Sequence, residues 1–132
     1  MESYFTIREL TRSTTAEERG IDNTPDEQSL ENLHKLIDNV LDPLRRIYGK
    51  PIYVNSGYRS EELNKAVGGH PNSHHKYGYA ADITTYTKEG NKTLFNILKT
   101  MPKTQNIDEK DYSWIHISYN DKDLRNQSIH IG

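Results

Sequence analysis

Cysteine is absent from the 132 residues. That excludes disulfides, thiolate nucleophiles and cysteine-type zinc sites, so any metal has to be taken by histidine and carboxylate. No apolar run approaches the ~20 residues needed to cross a bilayer, and no membrane span is expected. Met1 to Leu10 has neither a basic n-region nor an apolar h-region, so no signal peptide is expected. A basic excess is also missing. Lys and Arg number 17 against 19 Asp and Glu, for a net charge of −2, which argues against a nucleic-acid partner. Leu, Ile, Val and Phe supply only about a fifth of the chain, at the margin where disorder sets in. Disorder, however, pairs low hydrophobicity with high net charge, and the charge here is small. Nine Tyr and one Trp add apolar bulk. The expectation is one domain, residues 1–132, with a lean core that a bound metal would help to pin.

Within that chain the first third reads as helical. Thr6-Ile7-Arg8-Glu9 has capping-box spacing, and Thr15 to Arg19 reads as a turn ended by Gly20. Thr24 is placed as the cap of the clearest helix, with Pro25 at its first position and Asp26 and Glu27 at the positive end of the dipole. Leu30, Leu33, Ile37, Val40, Leu41 and Leu44 then form one apolar stripe, and Pro43 predicts a kink or a new segment. Ile52 to Asn55 reads as a strand, and Ser60 caps a helix through Val67. Residues 69–76 read as a polar loop, and Ala80 to Thr84 as a buried strand. Glu89 to Lys99 reads as a helix. Gln105 to Glu109 and Trp114 to Ser118 read as strands joined by a tight turn. This order predicts an α+β fold, a small antiparallel sheet packed against the helices. Residues 121–132 are left without an element.

Two segments carry metal-ligand chemistry. In the first, His75 stands seven residues before Asp82, a carboxylate in an otherwise apolar strand. A buried lone carboxylate is costly unless it is paired or holds a cation. In the second, alternation puts Trp114, His116 and Ser118 on one face and Ile115 and Ile117 on the other. Two strands and a loop would then bring His75, Asp82 and His116 together. Two imidazoles and one carboxylate suit Zn²⁺ at about 2.0–2.2 Å, with a fourth position open to water. The same residues also suit plainer roles: a hydrogen-bonded strand histidine, and an Asp82 that is a turn acid or an arginine partner. No His-Glu-x-x-His helix exists. Arg59, after the turn residue Gly57, sits at a strand end where its fork suits a carboxylate or oxyanion, or a local partner such as Glu61 or Glu62.

Four ordered motifs bind these pieces together: Ser56-Gly57-Tyr58-Arg59-Ser60, Leu63 to Gly69, Ser73-x-His75-x-x-Gly78-x-Ala80-x-Asp82, and Trp114-x-His116-x-Ser118. With the opening stretches Phe5-Thr6, Gly20 to Pro25 and Val40 to Arg45, they resemble the D-alanyl-D-alanine metallopeptidases, in particular their small single-domain branch. The resemblance reaches to about Tyr119. It implies the Hedgehog/DD-peptidase fold and a zinc ion on His75, Asp82 and His116, and it selects His75 over its neighbour His74. It implies that Arg59 holds a substrate carboxylate or carbonyl oxygen, and that Ser73 orients substrate or ligands. Tyr58, Tyr77 and Trp114 are expected along the cleft.

One position departs from the family. Family members carry an acid three residues before the last histidine, and here that residue is Ser113. The stretch Gln105 to Glu109 resembles the branch's Gln-x-Ile-x-Glu, which makes Glu109 the first candidate general base and Asp111 the second. The resemblance thus implies a monomeric zinc peptidase acting on peptidoglycan stem peptides or crosslinks at the bacterial wall, reached by phage-type release or another export route. Ser113 motivates a rival, a zinc-containing wall-binding module without turnover. A structural zinc domain, closed by His74 or His130 as a fourth ligand, is the third reading.

Overall fold

The computed structural model describes residues 3–131. Short helices lead: α1 (Ile7–Thr11) and α2 (Thr14–Arg19). The expected capping box is present, with the Thr6 hydroxyl accepting from Glu9 N and the Glu9 carboxylate accepting from Thr6 N. Gly20 ends α2 in the left-handed conformation at φ 64°. Helix α3 (Glu27–Leu36) starts two residues later than the sequence suggested. Its cap is Asp26, which accepts from Ser29 N at 2.7 Å. Thr24 stays outside the helix, with its N–H bonded to Asp22 at 3.0 Å. Asp26 supplies the capping oxygen, so Thr24 and Pro25 lead into the helix rather than start it.

At Pro43 a new helical segment begins, one of the two outcomes expected. Ile37–Leu41 forms one π-helical turn, and α4 (Asp42–Tyr48) continues from it with Pro43 in its first turn. Asp42 N bonds back to Ile37 O, five residues earlier, so the wide turn absorbs the donor that proline lacks. The Asp42 carboxylate accepts from Ser3 Oγ and Tyr4 N, tying the first described residues down.

The strands are β1 (Tyr53–Ser56), β2 (Ala80–Thr84), β3 (Gln105–Glu109), β4 (Trp114–Ser118) and β5 (Gln127–His130), ordered β1-β2-β4-β3-β5. Between them lie α5 (Glu61–Ala66) and α6 (Lys88–Leu98). The α+β class is as expected, but the sheet is mixed. Its first four strands pair antiparallel, whereas β5 pairs parallel to β3, Gln105 opposite Gln127 and Asp108 opposite His130. The chain after β4 turns back over Thr104, whose hydroxyl accepts from Asn120 N and donates to Asp123 O. It therefore re-enters the sheet in the direction of β3. The strand Gln127 to His130 is polar and mostly exposed, so no apolar alternation announces it.

Alternation sorts the sheet into two faces. Ala81, Ile83, Ile115 and Ile117 point into one apolar cluster with Leu33, Leu36, Val40, Leu41 and Leu44 from the α3–α4 run and Leu94, Phe95 and Leu98 from α6. Burying aliphatic side chains of this size contributes about 1.5–3 kcal/mol each. The opposite face is left for Asp82, His116 and their neighbours.

Candidate metal centre

Register assembles half of the site. Asp82 on β2 lies directly opposite His116 on β4, and Ser56 on β1 lies opposite Asp82 from the other side. Directly paired residues project from the same face. His116 Nδ1 is 3.0 Å from Asp82 Oδ1. The ladder slips between Val54 and Ser56, a bulge at the strand end that leads into the Gly57–Arg59 turn.

The other half comes from a short 3₁₀ turn, His74–Tyr77, inside the stretch read as a loop. Its residues explain their own spacing. The Ser73 hydroxyl caps the turn by accepting from His75 N at 3.2 Å. Gly78 ends it at φ 77°, and a Cβ there would meet the Ser29 carbonyl oxygen at 2.4 Å, so helix α3 can approach only a glycine. Between them His75 is 3% exposed, with its Nε2 3.3 Å from Asp82 Oδ1. His75 Nδ1 donates to the Gly57 carbonyl at 2.7 Å, and Arg59 N donates to the His75 carbonyl at 3.0 Å. The turn and the Ser56–Ser60 segment are thus zipped together.

Among the described residues, ligand atoms of His75, Asp82 and His116 lie within 4.8 Å of one another. A carbonyl oxygen can only accept, so His75 Nδ1 carries a proton and Nε2 is the ring atom turned to the Asp82 oxygen. Burial pushes the Asp82 carboxyl up, but hydrogen bonds and charge from His116 and His75 outweigh it and hold the group well below the ordinary carboxylate range. A partly buried carboxylate held ionised, an imidazole oriented by an outer carbonyl and a second imidazole fit a divalent metal of the zinc type.

Arg59 completes the wall. Its Nε donates to Ser56 Oγ at 3.2 Å, Nη1 to Asn64 Oδ1 at 3.1 Å, and Nη2 lies 3.8 Å from Asp82 Oδ2. Burial lowers its pKa and Asp82 raises it. Glu61 and Glu62, the local partners considered for it, are not among these contacts; Glu61 faces Lys76 at 3.8 Å.

The two candidate bases part company. Glu109 lies opposite Trp114 on β3, two residues from Ile107, which faces His116. It is half-buried on the donor face. Burial pushes its carboxyl up, and of the charges around it His116 draws it down while Asp82 and Asp108 push it further up. Asp111 is exposed and ion-paired to Lys88 at 2.7 Å. Ser113, at the family's acid position, donates its hydroxyl to the Lys110 carbonyl at 2.6 Å.

Of the remaining expected residues, Trp114 shares the donor face with His116 and Glu109. Tyr58 is 8% exposed and belongs to the core. Tyr77 is exposed, and Trp114 is half-buried with Lys110 Nζ 5.6 Å from its ring. His74 packs edge-on against Tyr79 at 6.2 Å, and His130 bonds Asp108, so neither joins the donor group.

Two asparagines hold the site without having been singled out. Asn23 donates to Thr11 O and Tyr58 O and accepts from Ser60 N at 2.7 Å. Asn64, 2% exposed, accepts from Arg59 and donates to His70 O. Both fall inside stretches that carry the family resemblance, and an uncharged polar residue there was the available signal.

A model of the peptidase M15 family matches residues 3–118. The chain belongs to the peptidase M15 family. The zinc D-Ala-D-Ala carboxypeptidase of Streptomyces albus G is 52% identical to it over 44 residues, which is 33% of this chain and 17% of that protein. The chain therefore matches about a sixth of that relative's length. Strand β5 lies beyond the residues matched by the family model. No helix among the described residues of this M15 chain is long and apolar enough to cross a membrane.

Proposed function

We propose that the chain is a zinc-dependent peptidase that hydrolyses peptidoglycan stem peptides or crosslinks, with His75, Asp82 and His116 as the ligands. The observation that carries this reading is the convergence of three donors from β2, β4 and the 3₁₀ turn, one of them with its ring oriented by an outer carbonyl. A zinc ion bound there supplies Lewis acidity that polarises a carbonyl and eases deprotonation of water near neutral pH.

The chain's own residues provide the rest. Glu109 takes the proton of the attacking water and returns it to the leaving amine, so the amide is exchanged for an acid and an amine. Its raised pKa brings its affinity for a proton closer to the working pH. Arg59 is held by Ser56 and Asn64 and offers its remaining N–H groups to the carbonyl oxygen, where negative charge develops. Asp111 has no part in this scheme, because Lys88 engages it.

The test is mass spectrometry of muropeptides incubated with the zinc-loaded chain, alongside His116→Ala and Glu109→Gln. The reading expects cleavage by the parent chain, none with His116→Ala, and a fall of about 10²–10⁴-fold with Glu109→Gln. Undiminished cleavage by His116→Ala refutes it. Muropeptide binding without turnover by the parent chain would favour the wall-binding module that Ser113 suggests.

A further inference from the structure

Strand β3 ends at Glu109, and the chain has only Lys110 to Ser113 in which to reverse into β4. Tight hairpin turns usually take glycine or asparagine, because their backbone needs a positive φ. Neither is present in this turn. Lys110, Asp111 and Tyr112 stand at φ 46°, 54° and 63°, consecutive left-handed residues that all carry side chains. Such a conformation has a cost at each residue and persists only where its surroundings impose it. Ser113 N donates to the Glu109 carbonyl at 2.9 Å, so the turn closes on the backbone of the candidate base itself.

What imposes it is chiefly one buried amide. Asn91, in the first turn of α6, is 1% exposed. Its Nδ2 donates to the Tyr112 carbonyl at 2.7 Å and the Ser113 carbonyl at 3.1 Å, and lies 3.1 Å from Thr84 Oγ1. Its Oδ1 accepts from Thr85 N at 2.8 Å. One side chain therefore joins the end of β2, just beyond Asp82, to the start of β4, just before His116. The Lys88–Asp111 pair on the same turn is exposed and adds little. Tyr112 packs edge-on to Phe95 at 5.9 Å, which secures its ring but not the two carbonyls.

The donors and the base depend on this turn unequally. Asp82 and His116 stand within their strands, paired on both sides, and the Gly57 carbonyl orients His75. Glu109 stands at the last ladder position, opposite Trp114, where the turn sets how it approaches the donor face. We propose that Asn91 is a positioning residue for Glu109: it clamps the left-handed turn and so holds the Glu109 carboxylate toward the donor cluster. The proposal rests on the peptidase reading above, with Glu109 as the base.

The experiment is steady-state hydrolysis of purified muropeptides by the zinc-loaded chain, with zinc affinity and thermal unfolding measured on the same proteins. The variants are Asn91→Ala and the pair Lys110→Gly and Lys110→Ala. Asn91→Ala should lower kcat by about 10–100-fold, as a misplaced catalytic group does, with KM and zinc affinity within about twofold of the parent. Lys110→Gly frees the turn where glycine is unstrained, so its kcat should fall about tenfold below that of Lys110→Ala while its Tm holds or rises. Lys110→Ala keeps the left-handed cost and should keep the parental kcat. A folded Asn91→Ala with parental kcat overturns the inference. A joint fall of kcat and zinc affinity also overturns it, because that marks a purely structural role. Where Asn91→Ala does not fold, the Lys110 pair decides, and equal kcat in its two members overturns the inference. No turnover by the parent chain overturns the peptidase reading and the inference with it. Parental turnover with any of the other failures overturns the inference alone.

Discussion

Gly57→Ala tests whether the position of His75 depends on the backbone beneath it. A Cβ on Gly57 would sit 2.2 Å from the Leu10 carbonyl oxygen, the same oxygen that accepts from Tyr58 N at 2.7 Å. Ordinary contact needs roughly 1 Å more, so α1 and the Gly57–Tyr58 backbone have to separate. Overpacking of this kind costs about 1–3 kcal/mol. At this chain length that is a fall in Tm of roughly 4–12 °C. The second consequence is specific to the site. The Gly57 carbonyl fixes the His75 ring through Nδ1, and loss of such an outer contact costs about 10–100-fold in metal affinity. Thermal unfolding by circular dichroism reads the first effect, and zinc titration against a competing chelator, well below the new Tm, reads the second. A folded variant with unchanged zinc affinity would refute the argument that Gly57 positions the ligand, even if its Tm had dropped.

Asn64→Ala removes the acceptor of Arg59 Nη1 and the donor to His70 O, at a cost of about 2 kcal/mol read by urea unfolding. Muropeptide cleavage should fall by more than that loss of stability explains, and unaltered cleavage would argue that Arg59 needs no support. Lys103 is 1% exposed, with its Nζ donating to Met101 O at 3.0 Å, and burial holds its pKa below that of a free lysine. The folded state therefore binds fewer protons than the unfolded state between the lowered pKa and the ordinary ~10.4. Stability should rise with pH through that window, with the full penalty present below it. Urea midpoints at pH 7 and pH 10 should show this slope reduced in Lys103→Met, and an identical slope would contradict it.

What could be read from the residues was chiefly what repeats or caps. The Thr6–Glu9 box, the α3–α4 stripe and the strand alternation that sets His116 apart from Ile115 and Ile117 all carry periodic or positional signals, and the structure has them. The donor trio was legible because a carboxylate in an apolar strand and a histidine in an alternating one each demand a reason. Less could be read where the cause is tertiary. Strand β5 is polar and is stabilised by pairing with β3, so nothing in Gln127 to His130 marks it. The start of α3 was misplaced because Asp26 competes successfully with Thr24 for the cap. The π-helical turn ahead of Pro43 depends on how the whole run packs. Asn23 and Asn64 act through backbone groups of distant segments.

The metal is the point on which the account turns. Elemental analysis of the purified chain, after zinc loading and removal of excess, should find one zinc ion per molecule in the parent and a large loss in His75→Ala and in His116→Ala, each confirmed as folded. A folded parent chain that takes up no zinc, or single-histidine variants that retain it in full, would contradict the account.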